Sequence, residues 1–382
     1  FQVLIEPQNL ANFSGDILVY TYLYPVYSYG DRLEISCKIY QPEPIVVDDG
    51  KTFAYDKYLA KDNIMATCFR PRIKILGKNK DLAFYILKVK DYAWQNLNDY
   101  LVEPSSSLAK AMFLATRREI PDELRNIFAK VGLSHMIAIS GLHMAIIVWL
   151  MQSFLIALGL SRKSSLWFLI IFLAIYLYMI GFPSSAVRAS WMVIILLLGP
   201  FLGRSTESIY SLVLVADIFI LFNPYLLLYD IGFQLSFLAV AGLLYYVKFF
   251  NKALVFIPTK FKIREVMAVT LAAQVFTWPF IIYNFGIFSL IAPIANFLIL
   301  PFLPAVLILS IILGIFGAWS FIANIIAWPL FIILKIIVQI AELLAKVPYA
   351  FVIIEDFSLF YMFLALFFML MITLVLKPKD YE

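Results

Sequence analysis

Apolar runs follow one another almost without interruption between Ser134 and Leu376. Each run approaches the length of about twenty apolar residues that an α-helix needs to span a bilayer. Across the whole chain only 14% of residues are charged, whereas about a quarter are charged in soluble domains. The sequence therefore predicts a polytopic α-helical membrane protein.

We predict about nine crossings, because short polar or turn-forming segments separate the apolar runs. The predicted crossings are 136–159, 166–182, 186–202, 208–222, 225–247, 266–285, 287–316, 320–345 and 359–376. Several of them are shorter than a full span. The seventh is too long for one helix and contains Pro293, Pro301 and Pro304, so we expect it to be broken or re-entrant.

The first hundred residues have a different composition and read as a soluble β domain. Apolar and polar residues alternate through Asp31–Tyr40, which is the period of a half-buried strand. We predict further strands at Ile17–Tyr24, Phe69–Leu76 and Ala83–Val89, which are rich in residues that favour strands. Several short strands in one small domain indicate a β-barrel or a sandwich.

A short lead-in separates the β domain from the apolar runs. Asp99–Ser107 is predicted to be a polar linker, followed by an amphipathic helix near Leu108–Arg118. A second helix has Pro121 at its first position and ends at Gly132. We expect both helices to lie along the membrane surface. The chain thus divides into three predicted parts, a β domain at 1–105, a lead-in at 106–133 and a transmembrane domain at 134–382.

The charge of the loops predicts the orientation, because loops rich in Lys and Arg stay on the cytoplasmic side. If the β domain is outside, the inward segments carry Arg162, Lys163, Arg204, Lys248, Lys252, Lys260, Lys262, Arg264, Lys377 and Lys379. The outward loops carry Lys346 alone, an asymmetry of ten against one. We therefore predict an extracytoplasmic β domain and a cytoplasmic C-terminus.

Both cysteines of the chain, Cys37 and Cys68, lie in this β domain. An extracytoplasmic domain meets an oxidising environment, which favours a disulfide between them. Cys37 faces inward by strand alternation. Sequence alone does not place Cys68 beside it, so two separate buried thiols remain the alternative.

Polar side chains recur within the predicted crossings, where a charged residue at the helix centre costs about 2.5–3.5 kcal/mol. They are His143, Arg188, Asp217, Asp230, Gln234, Gln274, Asn296, Lys335, Gln339 and Glu342. One interpretation is structural pairing, of Arg188 with Asp230 or Asp217 and of Lys335 with Gln339 or Glu342. The other is a partly hydrated interior, because polar residues occur on at least six crossings.

The sequence offers little support for an enzyme. Its two histidines, His135 and His143, lack the spacing of a zinc-binding helix, and no Gly-rich phosphate-binding loop with a Lys is present. We therefore expect neither a cofactor nor a metal. Ser140 and His143 together make an intramembrane hydrolase conceivable, but a packing glycine with polar lining residues is the favoured interpretation.

One cluster of charges has the character of a phosphate-binding surface. Arg70, Arg72 and Lys74 alternate along a predicted strand, with Lys78 and Lys80 beyond them. A basic strand face beside aromatic side chains can guide a phosphate backbone while bases stack. A solvated strand face is the ordinary alternative.

Several segments, taken in order, resemble the ComEC family of bacterial competence proteins. Gly132–His143 is similar to that family's Gly-Leu-x-His-x-x-Ala-x-Ser-Gly-Leu-His motif, and Gly181–Ala189 to its Gly-x-x-x-Ser-x-x-Arg-Ala segment. The other matches are Asn223-Pro224 with Ile231–Phe237, Pro279 with Phe285-Gly286, Ser289 with Asn296-Phe297, and Phe53–Ala66.

The resemblance implies a channel that moves one strand of DNA across the cytoplasmic membrane of a bacterium during natural transformation. It implies an OB-like β domain outside. We expect this domain to receive the strand, with Arg70, Arg72 and Lys74 binding its phosphates. The residues expected to line or shape the path are Ser140, His143, Arg188, Asp230, Gln234 and Asn296. Expected partners are single-stranded DNA, the lipid bilayer, a cytoplasmic motor and a separate nuclease, with a homo-oligomer left open. A permease or exporter for another anionic polymer or solute is the alternative.

The chain departs from the family pattern in two places. Ala115–Glu119 stands where the family carries Gly-Asp/Glu-Arg, which puts any role of that acidic residue in doubt. The family's C-terminal metallo-β-lactamase-like domain has no counterpart before Glu382, and two histidines could not build one. The start at Phe1, without Met, suggests that the natural N-terminus lies further upstream.

Overall fold

The computed structural model describes residues 2–5, 15–22, 25, 27–46, 52–199, 203, 208–258, 262–354 and 356–375. The predicted inward charges Arg204, Lys260, Lys377 and Lys379 lie outside these residues, as do the last residues of the strand predicted at Ile17–Tyr24. The chain divides into two compact units. The first combines Phe1–Val89 with Ala216–Gln234, and the second combines Lys90–Val215 with Leu235–Glu382.

The N-terminal part of the first unit is built from short strands and one short helix. They are β1 (Gln2–Ile5), β2 (Asp16–Tyr20), β3 (Asp31–Ser36), β4 (Ile39–Tyr40), β5 (Ile45–Val46), β6 (Thr52–Phe53), α1 (Tyr55–Ala60), β7 (Ile64–Phe69) and β8 (Arg72–Lys78). Four strands form a sheet in the order β1-β2-β7-β4, in which β2 and β7 run parallel. Strand β3 pairs with β8, and β5 pairs with β6, both antiparallel.

The two faces of the four-stranded sheet follow from strand alternation, since successive side chains point to opposite sides. On one face Ile17, Val19, Ala66 and Cys68 form a buried cluster, and Cys37 packs against it. Cys37 and Cys68 are joined by a disulfide, which confirms that prediction. The other face carries Leu18, which packs with Leu59 of α1 and Ile64.

Two strand predictions in this part need correction. The strand predicted over Asp31–Tyr40 ends at Ser36 and resumes at Ile39. The segment Ala83–Val89 is not a strand but part of helix α2 (Leu82–Tyr100). The Asp81 carboxylate accepts a hydrogen bond from the Phe84 backbone N–H at 2.8 Å and so caps this helix. This N-terminal cap outweighs the strand preference of the Tyr, Val and Ile residues.

The lead-in region is helical and partly buried. It contains the C-terminal part of α2, then α3 (Ser105–Leu114), a 3-10 turn (Arg117–Glu119), α4 (Asp122–Lys130) and α5 (Ser134–Ile137). The linker predicted at Asp99–Ser107 is therefore wrong at both ends. All ten residues of α3 are buried, so this helix does not lie on a membrane surface as predicted. Its Ser and Ala residues have small side chains, which lets neighbouring helices approach it on every side.

Helix α4 agrees with the sequence prediction. Asp122 and Glu123 occupy its first turn, where carboxylates favour the positive end of the helix dipole. Leu124, Phe128 and Val131 are buried on one face. Gly132 follows with φ +76°, a left-handed conformation that terminates helices and favours glycine.

The remaining helices are apolar. They are α6 (Gly141–Ala157), α7 (Arg162–Ile180), α8 (Ser184–Leu198), α9 (Ser208–Phe222), α10 (Tyr225–Tyr229), α11 (Ile231–Ala253), α12 (Ile263–Phe285), α13 (Ala292–Ile299), α14 (Leu303–Phe316), α15 (Ser320–Ala345) and α16 (Leu359–Val375). Within the described residues, five stretches are long and apolar enough to cross a bilayer, namely α7, α11, α12, α13–α14 and α15. Four shorter apolar helices accompany them. This is the architecture of a multi-pass membrane protein.

The predicted seventh crossing is broken, as its three prolines indicated. It consists of strand β9 (Ile287–Ser289), helix α13, a 3-10 turn at Leu300–Phe302 and helix α14. Each proline lies in the first turn of one of these helical segments. A proline there lacks an N–H that the helix would leave unpaired in any case. Strand β9 pairs antiparallel with β10 (Phe351–Ile353).

Candidate functional site

The start of helix α6 brings Ser140 and His143 into contact. The Ser140 backbone N–H donates a hydrogen bond to His143 Nδ1 at 3.3 Å, and Ser140 Oγ lies 2.9 Å from the same nitrogen. The two residues form a capping box at the first turn of the helix. Because a backbone N–H can only donate, Nδ1 is an acceptor, and the neutral imidazole carries its proton on Nε2.

His143 is fully buried, and its Nε2 has no hydrogen-bond partner among the described residues. A buried donor without a partner is costly in a protein interior. His143 therefore presents an N–H to the inside of the helical bundle, where water or a passing acceptor would satisfy it. The same geometry gives Ser140 a structural role as the helix cap.

The two motifs around His143 and Arg188 meet in space. Ser185, in the first turn of α8, donates a hydrogen bond from Oγ to the Ile139 carbonyl at 2.6 Å. A Cβ on Gly141 would lie 3.8 Å from the Ala189 side chain, so the two helix starts are close. Arg188 is fully buried on α8. The structure thus places the guanidinium and the imidazole on adjoining helices.

The segment that contains Ser289 and Asn296 packs against Gly132, the first residue of the Gly132–His143 motif. Gly132 is so close to α13 that a Cβ there would lie 2.5 Å from Ala292 Cβ and 3.2 Å from Ser289 Cβ. Asn296 donates from Nδ2 to Thr270 Oγ1 of α12 at 3.3 Å. Its Oδ1 is buried and accepts no hydrogen bond from the described residues. Asn296, like His143, therefore has unused hydrogen-bonding capacity in the interior.

Asp230 and Gln234 belong to the first unit and have mainly structural contacts. The fifth predicted crossing is interrupted at Asp230, which separates α10 from α11. The Asp230 Oδ1 accepts a hydrogen bond from the Phe233 backbone N–H at 2.9 Å and caps α11. Gln234 donates from Nε2 to the Leu227 carbonyl at 2.8 Å.

The other oxygen of Asp230 faces a lysine that sequence reasoning missed. Lys61, just after α1, places Nζ 3.6 Å from Asp230 Oδ2, with the two side chains 11% and 5% exposed. The Lys61 carbonyl accepts a hydrogen bond from Asn223 Nδ2 at 2.8 Å. Its ammonium also lies 4.3 Å from the centre of the Tyr58 ring. The first unit therefore joins its β part to α10 through a nearly buried ion pair.

A second missed cluster surrounds Lys110 in the second unit. Lys110 is 2% exposed, and its Nζ lies 2.7 Å from Glu119 Oε2 and 3.1 Å from Asn98 Oδ1. Its ammonium lies 4.4 Å from the centre of the Trp94 ring, whose Nε1 donates to Glu119 Oε1 at 2.8 Å. Glu119 thus supplies a paired carboxylate in the segment that departs from the family pattern. The signal in the sequence was a single charged residue, Lys110, in an otherwise uncharged helix.

The predicted basic strand does not include all three of its basic residues in the structure. Arg70 is not on a strand but lies between β7 and β8 with φ +48°. Arg72 and Lys74 are exposed on β8, where Ser36 and Glu34 of β3 are their cross-strand neighbours. Lys78 lies 3.6 Å from Asp31. Acidic residues on β3 therefore offset part of the positive charge of β8.

Aromatic side chains gather where β7 ends. Tyr20 and Phe69 stack with ring centres 4.7 Å apart and planes 9° apart. The Tyr40 ring lies edge-on to Phe69 at 6.0 Å, and Lys38 Nζ is 5.3 Å from the centre of the Tyr40 ring. Arg70 follows directly, and its backbone N–H donates to the Tyr20 carbonyl at 2.8 Å. We call Tyr20, Lys38, Tyr40, Phe69 and Arg70 the aromatic platform.

The aromatic platform is open to solvent, and a hydrogen bond to Tyr55 holds one of its rings in place. Phe69 is 54% exposed and Tyr40 is 45% exposed. Tyr20 is braced by a hydrogen bond between its hydroxyl and that of Tyr55, at 2.7 Å. Burial, together with this hydrogen bond, raises the pKa of Tyr55 to about 12. The platform therefore combines fixed ring faces with two exposed cations.

The polar residues of α15 do not pair in the way that one interpretation suggested. Lys335, Gln339 and Glu342 are all exposed on this helix. No ion pair of Lys335 or Glu342 occurs within the described parts of the chain. The Lys335 ammonium lies 5.9 Å from the centre of the Phe331 ring. No cluster of three or more His, Cys, Asp or Glu side chains suited to a metal is found in those same parts.

Comparison with known proteins places the chain beside a protein family and a curated relative. The family described as "Competence protein" matches residues 112–379. The "ComE operon protein 3" of Bacillus subtilis (strain 168) is 28% identical over 250 residues, which cover 65% of this chain and 31% of that protein. The matched region thus spans about a third of the relative. No solved structure matches.

Proposed function

Because the chain belongs to the Competence protein family, we propose that it is a membrane channel through which single-stranded DNA enters the cytoplasm during transformation. In this proposal the protein is a conduit and not an enzyme. The family is described as "Competence protein", and the segments of this chain that resemble the family's motifs support carrying that role over. That this chain shares the relative's activity is a proposal, because the match covers only 31% of the relative.

The aromatic platform is the observation that carries the proposal furthest. Proteins that bind single strands without sequence preference combine stacking aromatic rings with a positively charged path for phosphates. Tyr40 and Phe69 offer exposed ring faces, and Lys38 and Arg70 lie beside them. Arg72 and Lys74 extend the positive charge along β8. We propose that this OB-like part lies outside the cell and receives the strand.

The membrane part would then conduct the strand inward. His143 and Asn296 have buried polar atoms that lack partners among the described residues, and Arg188 is buried at a neighbouring position. Such groups suit a path in which water or phosphate oxygens pass. Ser140, Asp230 and Gln234 would shape this path by fixing helix starts and breaks. A separate cytoplasmic motor and a separate nuclease would supply energy and degrade the other strand, and a homo-oligomer is compatible with this scheme.

Binding of a fluorescent single-stranded oligonucleotide to the full chain in detergent tests the platform. Stacking contributes about 1–3 kcal/mol per base, so we expect Tyr40→Ala with Phe69→Ala to weaken binding by about tenfold or more. Tyr85→Ala is the matched control, because Tyr85 is also an exposed aromatic residue of the first unit. Equal affinity in the platform variant, or an equal loss in the control, would contradict the assignment.

DNA uptake by cells tests the function itself. Deletion of the gene is expected to abolish internalisation of labelled DNA, with surface binding of duplex DNA retained. The platform variant should lower transformation frequency at unchanged protein abundance. Normal internalisation in the deletion strain would end the channel proposal.

A further inference from the structure

Helix α15 has one buried face and one exposed face. The buried face consists of Ala323, Ala327, Leu330, Leu334, Ile337, Val338 and Ala341. On the exposed side, Asn324, Trp328, Lys335, Gln339 and Glu342 follow one another at spacings of four, seven, four and three residues. Residues at these spacings lie on the same side of a helix. We call these five residues the polar stripe.

The polar stripe does not suit contact with lipid. Lys335 lies ten residues before the end of α15 at Ala345, which is about 15 Å along the helix axis. Its charge and that of Glu342 have no ion-pair partner within the described parts of the chain. Charged residues at membrane depth normally face a partner or a water-filled cavity.

A neighbouring part of the same exposed side is apolar. Ile325, Ile336 and Leu343 are exposed beside the polar stripe, each one position after a stripe residue. These side chains suit the hydrocarbon core. The exposed arc of α15 therefore faces two media, one polar and one apolar, which a helix surrounded only by lipid would not do.

We propose that the polar stripe of α15 is a wet wall of the conduit, with Lys335 as its phosphate-facing cation and Trp328 as a stacking surface. The proposal rests on the proposed function. It names a wall of the path that is separate from the buried residues His143 and Asn296, because the stripe lies opposite the buried face of α15. The stripe runs from Asn324, near the N-terminal end of α15, to Glu342, near the C-terminal end, which is the outer end in the proposed orientation. It would therefore line the path through most of the depth of the membrane.

A second copy of the chain fits the stripe less well than water does. Two copies in one membrane are related by an axis along the membrane normal, so a stripe on that axis faces its own copy. Lys335 would then face Lys335, and Glu342 would face Glu342. Like charges at close range repel, whereas water solvates both the Lys335 and the Glu342 charge, and a phosphate backbone attracts Lys335.

Cysteine accessibility tests this assignment with little interference. The only two cysteines of the chain are joined in a disulfide, so a single introduced cysteine is the sole free thiol. We expect Gln339→Cys to react with a charged, membrane-impermeant thiosulfonate at least tenfold faster than Leu343→Cys. Both variants should react with a lipid-soluble maleimide, which shows that each thiol is present. If both variants reacted slowly and at equal rates with the charged reagent, the polar stripe would not face water and the proposal would be overturned.

Oxidative cross-linking distinguishes a stripe that faces water from a stripe that faces a second copy of the chain. A disulfide-linked dimer of the Gln339→Cys variant, formed in high yield, would overturn the proposal in favour of an interface between copies. Monomeric behaviour together with fast charged-reagent labelling supports it. This result does not depend on DNA, so it stands even if the deletion strain takes up DNA normally.

The role of Lys335 toward the strand has its own test. We expect Lys335→Gln to lower transformation frequency at least tenfold at unchanged protein abundance, and Lys335→Arg to retain most of it. Added single-stranded oligonucleotide should slow the labelling of Gln339→Cys in the purified protein. Wild-type transformation by Lys335→Gln, or labelling that the oligonucleotide leaves unchanged, would overturn contact between the stripe and the strand.

Discussion

Lys61 and Asp230 are the residues whose pairing is best suited to a direct test. Breaking a buried ion pair leaves an uncompensated charge and costs about 3–5 kcal/mol. We expect Asp230→Asn to lower the free energy of unfolding by an amount near the lower end of this range, because Lys61 keeps 11% of its side-chain surface exposed. The asparagine keeps an oxygen for the Phe233 N–H, so the helix cap survives. Thermal unfolding of the detergent-solubilised chain measures the change.

The reversed pair is the control for this experiment. Lys61→Asp combined with Asp230→Lys should recover part of the stability that either single change removes. Additive losses in the double variant would contradict a coupled pair. They would leave Asp230 with only its role as the cap of α11.

Ser140 has two competing roles that differ in their response to substitution. As the N-cap of α6 it contributes about 1 kcal/mol, so we expect Ser140→Ala to lower stability slightly and to leave DNA uptake measurable. Ser140→Asn is the matched variant, since asparagine also caps helices but cannot act as a nucleophile. Uptake by this variant at wild-type frequency is the expected result. Loss of uptake by the folded Asn variant would favour the intramembrane hydrolase.

Among the helices, α11 comes close to the backbone of α12 at Gly242. A Cβ at this position would overlap the Ala272 carbonyl oxygen of α12. Next to this contact, Tyr246 of α11 packs with Ala272 and Phe276 of α12 in a buried cluster. The absence of a side chain at Gly242 thus sets the distance between α11 and α12.

Gly242→Ala should separate these helices. The overlap is with backbone, which cannot rotate away, so we expect a loss of about 1–3 kcal/mol in the free energy of unfolding. Gly77→Ala is the control, because nothing lies within 4 Å of a Cβ at Gly77. Thermal unfolding of the two variants in parallel should show a lower midpoint for Gly242→Ala alone. Similar midpoints would mean that α11 and α12 adjust to the extra methyl group.

The elements differ in how well local patterns predicted them. The break in the seventh crossing follows from three prolines, whose effect on a helix is local. The helix over Leu82–Tyr100 was mistaken for a strand at its start, because Tyr, Val and Ile favour strands wherever they occur. Its capping by Asp81 is a weaker sequence signal. The burial of α3 depends on which other helices pack around it, and the sequence of α3 itself does not predict them.

For the whole molecule, the proposed orientation predicts which loops are accessible from outside the cell. Tyr349, between α15 and α16, is 88% exposed, and Leu158, between α6 and α7, is 61% exposed. We expect Tyr349→Cys to react with an impermeant thiol reagent in intact cells. Leu158→Cys should react only after the cells are made permeable. The opposite pattern would place the β domain in the cytoplasm and remove the proposed receiving role.

The sequence alone determined the membrane class, the break in the seventh crossing and the order of the family motifs, because helix length, proline geometry and short motifs are local properties. Strand alternation likewise placed Cys37 on an inward face. The folded structure was needed to show that Cys68 meets Cys37, that Lys61 pairs with Asp230, and that Tyr20, Tyr40 and Phe69 share one surface. These contacts join residues far apart in the chain, such as Asn223 and Lys61 at a separation of 162. The partners therefore depend on which faces the fold brings together, and no local period of the sequence encodes that choice.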